Sequence, residues 1–337
     1  MTRRTLRTIR SPASGRRGAR PARRDEGEYR EYSTDEPRRG TGYIGDQRGN
    51  FILVRALRQV CGLVLLTASF AAAQASPTRI VSLVPALTEA LFAMGAGHAV
   101  VGVSSFDTYP PDVMSRPKVG GLVDPDLERI LTLRPGLVVL YGSQADQIAQ
   151  LRRAGIEVFA STHGGLRETL SVIRTLGTRV RRPDAAAALV TSIEDRLDDI
   201  RRRVAGRDRP SVLLVFGREP GTLRNVYASG GVGFLHDMLE AAGGRNVFAD
   251  MSRESVQLTS EAILRAAPEV ILELTYDDLM TPDTQATEIA VWSRLSSIPA
   301  VRAGRVFLLL GHQFVQPGPR VAEATAAIAT TLHPGPP

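Results

Sequence analysis

Residues 184–204 read DAAAALVTSIEDRLDDIRRRV, and the rest of the chain is arranged around them. Leu189, Ile193, Leu197, Ile200 and Val204 recur at steps of 4, 4, 3 and 4, which is one stripe on a helix. Pro183-Asp184 makes a start and Gly206 a stop. At ~1.5 Å per residue such a helix is roughly 30 Å long. Asp198 and Arg202, and Asp199 and Arg203, stand four apart with the acid first, the favourable order on a solvated face.

On either side of this stretch the chain does the same thing twice. Leu127-Glu128-Arg129-Ile130-Leu131 is followed by Pro135 and the apolar run Leu137–Leu140. Ser260-Glu261-Ala262-Ile263-Leu264 is followed by Pro268 and Val270–Leu272. In both copies Glu precedes Ile by two and Pro by seven, and the copies lie 133 residues apart. Each reads as a short helix, a proline break and a buried strand. That period is far too long for a solenoid, so two similar lobes joined by a helix is the simpler reading.

The short apolar strands alternate with helical segments. Strands are expected at Arg79–Val84, Ala99–Val103, Leu137–Leu140, Glu157–Ala160, Ser211–Phe216 and Val306–Leu310, with a polar loop over Gly217–Ser229. The fold class is therefore α/β: two lobes, each with a parallel-type sheet flanked by helices, bridged by one long spine helix. The expected divisions are an Arg-rich extension over 1–50, a signal peptide over 51–75, an N-terminal lobe over 76–182, the spine over 183–205 and a C-terminal lobe over 206–337.

The net charge of +7 belongs to the front of the chain. Residues 1–50 hold 13 Arg against 7 acids, and Arg55 and Arg58 leave residues 76–337 at −1. This excludes nucleic-acid binding by the body. The extension has no apolar periodicity and is expected to be disordered. Arg55 and Arg58, the apolar run Val60–Ala73 and Ala73-Gln74-Ala75 form a secretory signal, with cleavage expected after Ala75. Its core is shorter than the ~20 residues of a membrane span. A signal does not belong behind 50 polar residues, so the hypothesis is that translation starts near Val54 or Leu57; N-terminal sequencing of a precursor beginning at Met1 would rule it out. Cys61, the single cysteine, lies inside the signal, and Arg58 stands where a lipidation site needs an apolar residue. An exported, unanchored protein without disulfides follows, and a periplasm suits it.

There is no Walker A run, no G-x-S-x-G and no H-E-x-x-H. Nothing assembles a nucleophile, a base and an orienting group, which points to binding rather than catalysis. In α/β sheets the ligand sits beyond the carboxyl ends of the strands. The segments expected there carry Phe106, Tyr109, Tyr141, the Thr162–Gly165 turn, Tyr227, His312 and Phe314. Aromatic faces on two lobes suit a large flat ligand. A direct Zn or Mn receptor would need three or four converging donors, for which His163 and His312 are the available histidines.

Arg79-Ile80-Val81-Ser82-Leu83-Val84-Pro85 with Thr88-Glu89, Val101-Gly102-Val103-Ser104-Ser105 with Tyr109-Pro110-Pro111, and Leu127-Glu128-Arg129-Ile130 with Leu133 and Pro135 resemble the class III substrate-binding proteins of ABC importers. The cobalamin-binding branch is the most similar, and Trp292, Pro299-Ala300-Val301, Gly304-Arg305-Val306 and Pro319-Arg320 extend the resemblance to about residue 332. It implies a rigid two-lobed receptor, monomeric and with no intrinsic cofactor or resident metal. It also implies that one surface glutamate per lobe, Glu128 and Glu261, pairs with arginines of a permease dimer. The pattern departs at the ligand loops: Phe106 stands for a Tyr, Leu122 for a Trp, and His312 and Gln316 for an acid and an Arg. The ligand expected is a metal chelate, a corrinoid first. The alternatives are haem or a ferric siderophore drawn by Arg218, Arg224 or Arg320, although Arg320 is expected rather to cap or pack the last helix, and from another class a secreted α/β metalloenzyme.

Overall fold

The computed structural model describes residues 79–277 and 279–335. The expected extension, signal segment and cleavage after Ala75 fall on residues outside those described. Among the described residues no helix is long and apolar enough to cross a membrane.

In the N-terminal lobe β1 (Ile80–Ser82), β2 (Val100–Val103), β3 (Leu137–Tyr141) and β4 (Glu157–Ser161) form a sheet in the order β2-β1-β3-β4, parallel throughout. Helices α1 (Pro85–Ala93), α2 (Leu127–Thr132), α3 (Ala145–Arg153) and α4 (Leu166–Arg179) alternate with these strands. A 22-residue helix, α5 (Pro183–Val204), leads to the second lobe. There β5 (Ser211–Gly217), β6 (Val226–Ser229), β7 (Arg245–Asn246), β8 (Ser255–Leu258), β9 (Val270–Thr275) and β10 (Val306–Leu310) make a mixed sheet. β10, β9, β5 and β7 are parallel, whereas β6 pairs antiparallel with both β5 and β8. The parallel-type sheet expected for this lobe is present, and the correction concerns the segment read as a polar loop, which contains the antiparallel strand β6. At four residues, with Tyr227 exposed between buried Val226 and Ala228, that strand alternates too briefly to stand out in sequence. Helices α6 (Phe234–Ala241), α7 (Ser260–Ala266), α8 (Pro282–Ala290), α9 (Pro299–Arg302) and α10 (Val321–Leu332) complete the lobe.

The central strands β1, β3, β5 and β9 are largely buried on both faces, so they read as nearly unbroken apolar runs. One face of each sheet enters a single shared core: Ile80, Leu137 and Val139 from the first, Val212, Leu214, Val270 and Leu272 from the second. The opposite faces serve separate cores, Val81, Val138 and Leu140 in one lobe, Leu213, Val215 and Ile271 with Trp292 in the other. The spine contributes Ala186, Val190, Ile193, Leu197 and Ile200 to the shared core. This stripe is rotated from the expected one at its N-terminal end, where Val190 is buried and Leu189 only half-buried. The surface pairs also differ: Asp198 meets Arg201 at 2.7 Å, and Asp199 meets Arg202, each three residues apart rather than four. Gly177 of α4 permits this packing, because a Cβ there would lie 2.2 Å from the Cβ of Ala186.

Candidate functional site

The carboxyl ends of the strands carry the aromatic residues. Tyr141 closes β3 and His163 follows β4; their rings stack with centroids 3.8 Å apart at 24°. Burial pushes the Tyr141 hydroxyl up to about 12, with a smaller push from Glu254 of the other lobe, so the ring presents a neutral phenol. Pro317 joins Tyr141 and His163 in lining one crevice, which therefore draws on both lobes. In the C-terminal lobe Tyr276, just past β9, is tilted against His312, just past β10, at 6.3 Å. His312 Nδ1 lies 3.4 Å from the Gln316 amide nitrogen.

Two cavities open beside these groups. One of about 440 Å³ is lined by Phe216, Arg218, Tyr276, Asp277 and Met280 among others. The second, of about 230 Å³, is lined by Phe216, Val232, Phe234, Glu254 and Val315 among others. Phe216, near the end of β5, lines both. Among the described residues no group of three or more His, Cys, Asp or Glu side chains is disposed to hold a metal ion.

Tyr109, 45% exposed, lies under the Arg320 guanidinium at 4.2 Å, a cation–π arrangement. Arg320 Nε and Nη2 donate to the two carboxylate oxygens of Glu89 at 2.9 and 2.6 Å. This bidentate pair, with Glu89 buried in α1 and Arg320 preceding α10, ties the two lobes together. A second tie is Asp237 of α6, whose carboxylate accepts from the Leu166 amide at 2.8 Å and so caps α4. A Cβ at Gly165 would lie 2.2 Å from that carboxylate, which is why glycine precedes α4.

Arg218 is not available to an anionic ligand. Its side chain is 2% exposed and pairs with Glu273 and Glu288, each at 2.8 Å, and Trp292 donates to Glu273 at 3.0 Å. Arg320 is likewise spent on Glu89, and Arg224 pairs with Glu219 at 2.8 Å while staying exposed. The aromatic set also needs one correction. Phe314 is 4% exposed and belongs to the shared core, because the turn His312–Phe314 folds its ring inward. Phe106 (62% exposed) and Tyr227 (40% exposed) stand on the surface. Sequence reasoning missed Tyr276 and the stacking role of His163; the signal for both was their position one or two residues past a strand end.

Glu128 and Glu261 occupy matching places. Each is exposed and is the second residue of its helix, α2 or α7. The cap before each is made by a side chain, Asp126 accepting from the Arg129 amide and Thr259 from the Ala262 amide. The Glu261 carboxyl is held below its ordinary range by backbone amides at the helix start and then by Thr259.

The family described as "Periplasmic binding protein" matches residues 80–311. An uncharacterized ABC transporter substrate-binding lipoprotein, YvrC of Bacillus subtilis, is 30% identical over 266 residues, covering 77% of this chain and 81% of the relative. A cobalamin-binding protein of Halobacterium salinarum is 30% identical over 269 residues, 76% of this chain and 70% of the relative. Among solved structures, the periplasmic heme-binding protein RhuT from Roseiflexus sp. RS-1 superimposes with a TM-score of 0.63 at 28% identity, over 75% of this chain and 97% of that one.

Proposed function

We propose that this chain, which belongs to the periplasmic binding protein family, captures a metal chelate, a corrinoid first, and hands it to the permease of an ABC importer. The carrying observation is the Tyr141–His163 stack at the carboxyl ends of β3 and β4, an aromatic face on which a flat macrocycle can lie, beside a narrow crevice to which the other lobe contributes Pro317. The name of the Halobacterium relative supports the corrinoid as the first choice. A neutral Tyr141 favours stacking over ligation of a metal by phenolate. The second reading is haem, favoured by two imidazoles beside aromatic rings, His163 by Tyr141 and His312 by Tyr276. A ferric siderophore is the weaker alternative, since Arg218 and Arg320 are already paired with carboxylates.

In this reading no bond is made or broken. Affinity comes from Phe106, Tyr109, Tyr141, Tyr227 and His312 with Tyr276, and delivery comes from Glu128 and Glu261 meeting basic side chains of a permease dimer. The protein works as an exported monomer in the periplasm, released by cleavage after Ala75. Calorimetric titration with cyanocobalamin and with hemin decides the ligand. Saturable binding of cyanocobalamin at micromolar or tighter affinity is expected, weakened by Tyr141→Ala roughly tenfold or more, the loss of one stacked aromatic face. Binding of hemin alone would move the reading to haem, and binding of neither would end it.

A further inference from the structure

The two copies of the repeat share a feature that neither the acidic residues nor the cleft explains. In α2 and α7 the leucine after the buried Ile130 or Ile263 stays on the surface: Leu131 is 45% exposed and Leu264 40%. They stand 133 residues apart, the offset that relates Glu128 to Glu261, and each lies three residues after its glutamate, on the same helix face. The copies match in backbone too. Arg134 (φ 47°) and Ala267 (φ 43°) both adopt the left-handed conformation directly before Pro135 and Pro268. One exposed leucine needs no explanation. Two at equivalent places, each beside a carboxylate, describe one surface present twice.

We propose that Leu131 and Leu264 are the apolar anchors of this duplicated surface, and that its occupant is a two-fold symmetric partner offering on each half a basic side chain beside an apolar socket: the permease dimer of the importer. The inference rests on the docking role proposed for Glu128 and Glu261 and extends it. An exposed carboxylate–cation pair adds little affinity and is screened by salt, whereas buried apolar area persists in salt. Charge argues against other occupants. A second copy would set Glu128 and Glu261 against like carboxylates, while the exposed Arg129 and Arg265 give each patch both signs of charge, a pattern that a protein surface can match and a uniformly anionic bilayer cannot.

The test uses the full chain in its own cells. A photo-cross-linking phenylalanine analogue replaces Leu131, Leu264 or, as control, the exposed Arg207, and the adducts are identified by mass spectrometry. The permease complex so identified is placed in lipid nanodiscs and titrated with the variants at low and high salt, with empty nanodiscs as control. Leu131→Ser and Leu264→Ser are each expected to weaken docking roughly fivefold, and together ~25-fold, from apolar area left unburied. That loss persists at high salt, while the loss caused by Glu128→Gln with Glu261→Gln shrinks. Affinity for the chelate stays unchanged. Leucine variants that dock like wild type while the glutamate variants fail would overturn the anchors and leave the docking reading intact. Glutamate variants that dock like wild type would remove the charge reading itself. Cross-links to a second copy, or leucine-dependent binding to empty nanodiscs, would overturn the occupant.

Discussion

Asp107 follows Phe106 in the loop after β2 and is 1% exposed, with neither carboxyl oxygen hydrogen-bonded among the described residues. The nearby Thr88 hydroxyl is spent on Ser82 at 2.8 Å, and Lys118 donates instead to the Asp107 backbone carbonyl at 2.6 Å. Burial pushes the carboxyl up to about 7, against the smaller opposing pulls of Thr88 and Lys118 and with a small push from Glu89. The folded state therefore keeps a proton that the unfolded chain releases near pH 4. Stability from this group is full below the unfolded value, falls as pH rises, and is gone above the folded value of about 7. Asp107→Asn should remove that slope. The difference in unfolding free energy between variant and wild type, followed by denaturant titration, should grow in the variant's favour between about pH 4 and pH 7, by up to ~4 kcal/mol. A flat difference would mean that Asp107 is ionised in the fold. Arg218 makes the opposite case: Arg218→Ala strands Glu273 and Glu288 without their cation and should cost about 3–5 kcal/mol by denaturant titration. In sequence Arg218 reads as an anion site, and nothing there marks Asp107. Partner and burial decide both, and neither is a local property.

At the level of elements the helix termini were the most legible part. The spacing of Glu, Ile and Pro located two short helices, and the structure gives each a side-chain cap and a left-handed residue before the proline. The spine was legible as a helix but not in its orientation. Leu189 and Val190 are adjacent and both apolar, so periodicity fixes the stripe only to within one residue, and packing against α4 and α10 selects Val190. The helix from Leu166 was legible, but the Asp237 cap at its start was not, because it comes from 71 residues away. Asp237→Ala should destabilise the fold by about 1–2 kcal/mol, the range of a lost N-cap, and raise hydrogen exchange in the first turn of α4. Unchanged exchange there would show that the cap is dispensable.

Across the whole molecule, one core fed by both sheets and the spine couples the lobes. Separating them would expose Val139 and Leu214 alike, so hinge opening is costly and unfolding is cooperative. Calorimetry of the protein should show a single transition with equal van't Hoff and calorimetric enthalpies, and the radius of gyration in solution should stay unchanged on adding the chelate. Two separable transitions would contradict the shared core. The sequence by itself determined the α/β class, the duplicated helix–proline–strand unit and the long helix between the copies, and it placed Tyr141 and His312 just at or past strand ends. Those features follow from the spacing of apolar side chains, prolines and glycines within short segments, and such spacing acts locally. Only the tertiary structure decided that Phe314 turns into the core, that Arg218 and Arg320 are spent on buried carboxylates, and that His163 lies flat on Tyr141. Each of those outcomes is set by desolvation and by partners brought from distant parts of the chain, which no local pattern records.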